Sequence, residues 1–239
     1  SVVVNDPHLD ARALPGSWHP VGLHAPGISA IGVALPGVPG LVIGRTGHVA
    51  FGVTNAYGDS QDLFIETEAP GQPGHYLEDG AAIPFGTLTE TIRVRDKDAP
   101  GGFRTETLTI RTTNRGPIVA EGLAGGKLLS LRTAAAEIAP GGGLGIDQLL
   151  TARNVGDVDN AVQAMDVFYF NYVFGDKQGG IGHRASGRIP LRATGHGAWP
   201  TAASAQDNWI GTLPPAMMPG QISPARGWVG TANHDTRPD

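Results

Sequence analysis

The chain has 239 residues, of which 40% are hydrophobic and 16% charged; this is typical of a globular protein and excludes a disordered one. The net charge of −5 argues against a nucleic acid partner, because binding to phosphates needs a basic surface. The absence of cysteine excludes disulfides, thiolate metal sites and a cysteine nucleophile. No apolar run approaches the ~20 residues of a membrane-spanning helix.

Glycine and proline punctuate the whole sequence, with 36 and 19 residues respectively. They interrupt regular elements, so the composition predicts many short strands joined by tight turns. In the first third of the chain the predicted strands are Val2–Val4, Val21–Ala25, Ile28–Leu35, Leu41–Ile43, His48–Val53 and Leu63–Glu66. Gly44–Gly47 is the predicted four-residue loop of a hairpin between two of them.

The middle of the chain is predicted to be peripheral. Leu88–Val94 and Phe103–Arg111 alternate between apolar and polar residues around Asp96–Gly102, which predicts an exposed hairpin within residues 87–135. Ala69–Gly86 carries Pro-Gly and Asp-Gly steps and is predicted to be a loop.

One segment has helical periodicity, with apolar residues at 158, 161, 162 and 165 and Gly156 or Asp157 as the predicted cap. Phe168–Phe174 is rich in aromatic residues and predicts a buried strand. Ile181–Ala185 is its predicted partner, and Trp228–Asn233 is a predicted last short strand. The pattern therefore predicts an α+β fold with mainly antiparallel sheets.

The residues that could carry chemistry lie near the start of the chain and in the polar loop Thr54–Asp62. An N-terminal serine such as Ser1 can use its own α-amino group as a base, since the reference pKa of that group is ~7.7–8.0. Asp59 and Asp62, with Gln61 between them, suit a hard cation such as Ca²⁺.

The residues alone leave non-catalytic interpretations open. Ser1 could be an ordinary chain start, and His8 a turn residue bonded to Asp6. Asn233 could be a turn residue at a strand end, and the acidic loop a solvated turn.

The stretch from Val38 to Glu66 resembles the signature region of the penicillin acylase family of N-terminal nucleophile (Ntn) hydrolases. Further matches are Asn5–Leu9, Asn114–Pro117, Gly187–Arg192 and Thr231–Asn233, so the resemblance covers nearly all of residues 1–239. It implies the Ntn αββα sandwich. It also implies that this sequence is the N-terminal part of a β subunit, with the remainder of that subunit and the α subunit outside it.

The resemblance also implies roles for individual residues. Ser1 would be the nucleophile, and His8 would hold its amino group. The Asn55 N–H and the Asn233 amide would form an oxyanion hole. The implied ligands of a structural calcium ion are Asp59, Gln61, Asp62 and Pro190.

The function implied by this resemblance is amide hydrolysis through an acyl-enzyme on an N-terminal serine. The implied substrate is a small N-acylated amine such as a β-lactam antibiotic or an acyl-homoserine lactone. The implied protein partner is the α subunit, cut from the same precursor by autoproteolysis, and the implied location is the periplasm or the exterior. The competing hypotheses are a catalytically inactive fragment and a calcium-stabilised β-rich binding module.

The N-terminus departs from the family pattern. In the family a full β-hairpin separates the nucleophile from the Asp-Pro-His motif, whereas here Val2–Val4 joins the two almost directly. Three explanations remain open: residues are missing from this sequence, the hairpin is deleted, or Ser1 is not the nucleophile. The catalytic scheme requires Ser1 Oγ to lie close to Asn55 N and Asn233.

Overall fold

The computed structural model describes residues 1–9, 12, 16–123, 125–138, 143–195, 197–206 and 208–233. The strands are β1 (His19–Ala25), β2 (Ile28–Ala34), β3 (Ile43–Thr46), β4 (Val49–Asn55), β5 (Gln61–Thr67), β6 (His75–Glu78), β7 (Ala81–Pro84), β8 (Gly86–Arg95), β9 (Phe103–Thr113), β10 (Gly116–Leu123), β11 (Lys127–Thr133), β12 (Phe170–Asp176), β13 (Ile181–Ala185), β14 (Pro190–Arg192), β15 (Thr201–Ala202), β16 (Trp209–Thr212) and β17 (Gly220–Ile222). The α-helix is α1 (Val155–Gln163), and short 3₁₀ turns span Pro100–Gly102, Ala134–Glu137, Gln148–Leu150 and Pro215–Met217. Among these residues no helix has the length and apolar character needed to cross a membrane.

The chain divides into two compact units, of which the first comprises Ser1–Gly58, Ile138–Ile189 and Thr212–Asp239. Its seven-stranded sheet has the order β1-β2-β3-β4-β12-β13-β17, with antiparallel neighbours throughout. Helix α1 packs on β12 and β13. The core between them contains Phe51, Val158, Val162, Tyr172 and Phe174, all fully or almost fully buried. Burial of these apolar side chains therefore stabilises the packing of α1 on one face of the sheet.

Helix α1 confirms the predicted helical segment and corrects its cap. Asn154 is the N-cap, in an extended conformation, and its side chain accepts a hydrogen bond from Asp157 N–H. Asp157 lies in the first turn, where its carboxylate accepts from Arg153 N–H. Asn has the short side-chain acceptor that a free N–H of the first turn requires, so it takes the position predicted for Gly156 or Asp157.

The β3–β4 hairpin is tighter than predicted. Strand β3 extends to Thr46, so the prediction of a four-residue loop over Gly44–Gly47 was wrong. A Cβ on Gly44 would lie 2.7 Å from the carbonyl oxygen of Ile31, so this glycine allows close approach of β2 and is not a turn residue. The turn follows Thr46, whose hydroxyl accepts hydrogen bonds from His48 and Val49 N–H.

Two predicted strands, Val2–Val4 and Trp228–Asn233, are not strands in the structure. Val2 and Val4 are 86% and 80% exposed. β-Branched residues alone do not make a strand: this segment is attached to the sheet through side chains, by Ser1 Oγ at Asp176 and by Asn5 at Val53.

The second unit comprises Asp59–Glu137 and Pro190–Gly211. Its six-stranded sheet has the order β15-β5-β11-β10-β9-β8, in which the β15–β5 pair is parallel, and β14–β16 and β6–β7 form two further pairs. The β6–β7 hairpin replaces the loop predicted over Ala69–Gly86, because Tyr76 is buried to 3% exposure and anchors it. Together the two units confirm an α+β fold with mainly antiparallel sheets.

Candidate active site

The end of β4 presents the backbone of Asn55. In the antiparallel β4–β12 pair Asn55 lies opposite Phe170, and Ala56 N–H donates to the Tyr169 carbonyl at 2.9 Å. This pattern makes Asn55 and Phe170 a non-hydrogen-bonded pair, so Asn55 N–H is directed away from β12. The residue is exposed, which leaves the N–H accessible to a ligand.

Asn233 lies in contact with Asn55. Its Nδ2 donates to the Asn55 carbonyl oxygen at 3.2 Å. An amide nitrogen has two N–H groups, so this bond orients the Asn233 side chain and leaves one donor for another acceptor. Asn233 has a φ of 60°, in the left-handed region that asparagine tolerates better than most residues. The structure thus brings together the two residues predicted to form an oxyanion hole.

A hydroxyl pair joins the two segments that carry these asparagines. Thr54 Oγ1 and Thr231 Oγ1 are 2.6 Å apart, and each threonine is half-buried. Thr54 directly precedes Asn55, and Thr231 lies two residues before Asn233. The bond therefore restrains the distance between the two amide donors.

Three further side chains support the end of β4. Asn5 forms two hydrogen bonds with the backbone of Val53: Nδ2 donates to its carbonyl at 2.8 Å, and Val53 N–H donates to Oδ1 at 3.2 Å. Asn171, which is fully buried, donates from Nδ2 to the Asn55 carbonyl at 3.5 Å. His183 Nε2 lies 3.2 Å from Asn171 Oδ1.

The sequence carries a signal for the buried pair Asn171 and His183. Asn171 is the one polar amide in the run Phe168–Phe174, and a buried polar residue in an apolar strand needs a specific partner.

Ser1 lies at the other end of the central strands. Its Oγ donates to the Asp176 carbonyl at 2.9 Å, and Asp176 is opposite Val49 in the β4–β12 register. Asn55 is six positions further along β4, which corresponds to about 20 Å in a strand. The structure therefore brings Asn55 and Asn233 together and does not bring Ser1 to them.

Ser1 lies at the edge of a cavity. Ser1 lines a cavity of about 590 Å³ together with Val2, Val4, Phe174 and Trp228. The close contact of its Oγ with β12 depends on Gly175, where a Cβ would lie 2.4 Å from that oxygen.

His8 contacts Asp6, with 3.2 Å between Nε2 and Oδ2. Both side chains are almost fully exposed, at 87% and 86%. This contact is the one expected of a turn histidine; the role of holding an amino group remains a prediction.

The predicted calcium ligands lie in the second unit, where an arginine contacts both carboxylates. Arg192 Nη2 lies 3.0 Å from Asp59 Oδ1 and 3.0 Å from Asp62 Oδ1, and Arg192 Nε lies 2.8 Å from Asp62 Oδ2. Trp209 Nε1 also donates to Asp62 Oδ2. Burial opposes the positive charge of Arg192, but hydrogen bonds to Asp62 and the field of both carboxylates outweigh it and raise the pKa of the guanidinium.

The other two predicted ligands add little to a metal site. Gln61 is exposed and neighbours Asp62 on β5, so their side chains point to opposite faces of the sheet. Pro190 is buried at the start of β14 and can offer only its carbonyl. Among the described residues, no group of three or more His, Cys, Asp or Glu side chains could hold a metal ion. By themselves these four residues do not complete a calcium site, and the family resemblance implies that the remaining carboxylate ligands lie outside this sequence.

Comparison with known proteins gives the family. The family described as penicillin amidase matches residues 1–239, which is the whole chain. The chain belongs to this family.

Individual relatives agree with that assignment. An acyl-homoserine lactone acylase, QuiP, from Pseudomonas aeruginosa is 30% identical over 99% of this chain and 28% of its own length. The penicillin acylase 2 proenzyme of Pseudomonas sp. (strain SE83) is 31% identical over all of this chain and 30% of its own length. This penicillin amidase family member thus spans less than a third of the curated relatives it matches. The QuiP alignment covers 252 positions, more than the 239 residues here, so that relative has residues without a counterpart.

A solved structure confirms the fold. The thermostable penicillin G acylase of Alcaligenes faecalis superposes with a TM-score of 0.82 at 23% identity, covering 95% of this chain and 40% of that one. The Ntn-hydrolase fold predicted from the sequence is therefore confirmed.

Proposed function

We propose that this chain supplies the oxyanion hole of an acylase, an amidohydrolase that cleaves the amide bond of a small N-acylated amine. The observation that supports it best is the contact between Asn55 and Asn233, with Asn55 N–H directed away from β12. One backbone and one side-chain N–H that converge on an exposed position can stabilise the negative charge of a tetrahedral intermediate. The names of the relatives suggest penicillins or acyl-homoserine lactones as the substrate class.

In the proposed reaction a serine Oγ attacks the acyl carbonyl carbon, and its proton passes to a neighbouring base. The carbonyl oxygen becomes an oxyanion that accepts hydrogen bonds from Asn55 N–H and Asn233 Nδ2. When the intermediate collapses, the C–N bond breaks and the base returns the proton to the leaving amine. Water then hydrolyses the acyl-enzyme.

Ser1 is the proposed nucleophile and its α-amino group the proposed base, with His8 as the group that would hold that amine. In the described arrangement Ser1 is about 20 Å from Asn55, measured along the β4–β12 register. Catalysis by Ser1 therefore requires residues 1–4 to leave Asp176 and take another course past β4. The proposal extends to an α subunit from the same precursor as the partner, and to a periplasmic or secreted protein.

The distance between Ser1 and the asparagine pair is also the observation that favours the second candidate, a catalytically inactive member of the family. The two candidates differ in whether the complete protein hydrolyses N-acyl amides at all. They also differ in the effect of replacing Ser1: the substitution should abolish hydrolysis in an active acylase and have no effect on activity in an inactive family member.

The test is acylase turnover by the complete protein, with a chromogenic N-acyl amide as substrate. We expect Asn233→Ala to lower kcat by about 10²–10³ with little change in KM, because its amide acts on charge that appears only in the transition state. Asn55→Ala is the matched control and should be much milder, since the backbone N–H remains. Equal losses from both variants would contradict the assigned roles.

The role of Ser1 is tested separately. Ser1→Ala, or acetylation of the amino group of Ser1, should abolish turnover while thermal unfolding stays unchanged. Full activity in Ser1→Ala would exclude Ser1 as the nucleophile and leave the oxyanion proposal intact. The absence of any hydrolysis in the unmodified protein would favour the inactive family member.

A further inference from the structure

Arg192 binds two acidic side chains that the sequence suggested as metal ligands. We define the Arg192 cluster as Asp59, Asp62, Arg192 and Trp209, all in the second unit. The guanidinium forms a two-point contact with Asp62, at 2.8 Å from Nε to Oδ2 and 3.0 Å from Nη2 to Oδ1. Its Nη2 is also 3.0 Å from Asp59 Oδ1. Arg192 thus joins both carboxylates, as a bridging cation would.

Both carboxylate oxygens of Asp62 accept hydrogen bonds in these contacts. Oδ1 accepts from Arg192, and Oδ2 accepts from both Arg192 and the indole N–H of Trp209. The Asp62 side chain is 8% exposed and that of Arg192 12%, so water competes little for these bonds. A calcium ion binds oxygen at 2.3–2.6 Å and takes about 6–8 such ligands. At Asp62 it would compete with the guanidinium for the same two oxygens.

The surrounding chain is shaped around this ion pair. Gly197 has a φ of 73°, and a Cβ there would lie 2.5 Å from Asp62 Oδ1 and 2.6 Å from Arg192 Nη2. Any side chain at this position would press on both partners, so the glycine is required by the packing of the pair as well as by its own backbone conformation.

A second arginine adds positive charge on the same side of the sheet. Arg132 is the register partner of Asp62 in the β11–β5 pair. Its guanidinium stacks over the Trp209 ring at 4.5 Å, and its Nε is 2.6 Å from Glu137 Oε1. Because Glu137 balances the charge of Arg132, Arg192 is the guanidinium that a divalent cation at Asp62 would meet directly, and repulsion between like charges at short range opposes its binding.

We infer that Arg192 is the resident cation of the Asp59–Asp62 pair, and that these two carboxylates need no calcium in this protein. The guanidinium neutralises one of the two negative charges and satisfies the buried carboxylate of Asp62. Asp59 keeps one oxygen free of Arg192 and a side chain that is 46% exposed, so water can solvate the remaining charge. The inference does not rest on the proposed acylase function.

The test uses thermal unfolding of the complete protein in buffers with millimolar CaCl₂ or with EGTA. We expect the change in Tm between the two buffers to be the same for wild type, Asp62→Asn and Asp59→Asn, because none of these carboxylates binds calcium. Asp59→Asn changes a half-exposed side chain and folds even if Asp62→Asn does not. A calcium-dependent rise in Tm that is present in wild type and lost in either aspartate variant would overturn the inference.

The role of the guanidinium is tested by Arg192→Met, which keeps an apolar stem and removes the charge. We expect a loss of several degrees in Tm, since a buried ion pair that loses one partner leaves an uncompensated charge. Arg192→Lys should lose less, because it keeps the charge but not the planar fork.

The matched control is Arg188→Met, which breaks a longer, more exposed ion pair with Asp166 at 3.5 Å and should change Tm little. If Arg192→Met were as stable as wild type, the guanidinium would not be the partner that these carboxylates require.

Discussion

Replacing Asn5 by alanine removes the two hydrogen bonds that attach the N-terminal segment to β4. The side chain of Asn5 imitates a neighbouring strand: Oδ1 accepts from Val53 N–H at 3.2 Å, and Nδ2 donates to Val53 O at 2.8 Å. Its contact with the sheet is possible because residue 52 is a glycine, where a Cβ would lie 2.6 Å from the Cβ of Asn5. Val53 is 3% exposed, so its backbone groups depend on this one side chain.

The expected loss follows from the number and setting of these bonds. A net contribution of about 1 kcal/mol for each hydrogen bond gives about 2 kcal/mol for Asn5→Ala. Because Asn5 is half-buried, water can reach part of the vacated space and limits the loss to this value. For a chain of this size that corresponds to a fall in Tm of about 4–8 °C. Asn5→Asp keeps the acceptor for Val53 N–H but puts a carboxylate oxygen against the Val53 carbonyl, so it should destabilise the protein at least as much as Asn5→Ala.

The assay is urea unfolding of wild type and variants, combined with hydrogen exchange at the Val53 amide. Val4→Ala is the matched control, since Val4 lies next to Asn5 but is 80% exposed and should change stability little. Exchange at Val53 should accelerate in Asn5→Ala and remain slow in Val4→Ala. If Asn5→Ala matched wild type in both stability and exchange, the assumption that Asn5 replaces a strand partner would be wrong.

Two further predictions concern stability within the first unit. The hydroxyl of Tyr172 has no hydrogen-bond partner among the described residues, and burial raises the pKa of this group far above its ordinary value. Tyr172→Phe should therefore be neutral or stabilise the protein by about 1 kcal/mol in thermal unfolding, whereas a clear loss would reveal a partner for the hydroxyl. In a double-mutant cycle of Thr54→Val and Thr231→Val, we expect a coupling of about 1 kcal/mol from their 2.6 Å hydroxyl contact; strictly additive losses would contradict that bond.

The local sequence pattern predicted two kinds of element: those that pair with a neighbour close in the chain, and those that bury only one face. The stripe at 158, 161, 162 and 165 predicted α1, because a helix closes its own hydrogen bonds and needs only an apolar face to pack. The alternation in Leu88–Val94 and Phe103–Arg111 predicted the β8–β9 hairpin for a similar reason, since the two strands are joined by a short turn.

Predictions failed where a strand depended on a distant partner. Val2–Val4 has strong β propensity, yet the N-terminal segment is attached to the sheet through the side chains of Ser1 and Asn5 and stays outside it. Gly44 marked a turn by local rules, but close approach of β2 placed it inside a strand. Neither outcome can be read from the neighbouring residues, because each depends on which strands lie side by side.

For the candidate site, the sequence by itself determined the residue types and the family. The order of its motifs was enough to suggest Asn55 and Asn233 as partners in an oxyanion hole and Asp59 and Asp62 as ligands of a calcium ion.

Only the tertiary structure decided which of these groups meet. A hydrogen bond joins Asn233 to Asn55, whereas the β4–β12 register puts Ser1 about 20 Å away, at the far end of the same strands. Arg192, more than a hundred residues after Asp62, becomes the cation of the acidic pair because β14 folds back beside β5. Contacts between groups so far apart in the chain are fixed by strand order and packing, and a local sequence pattern carries no record of either.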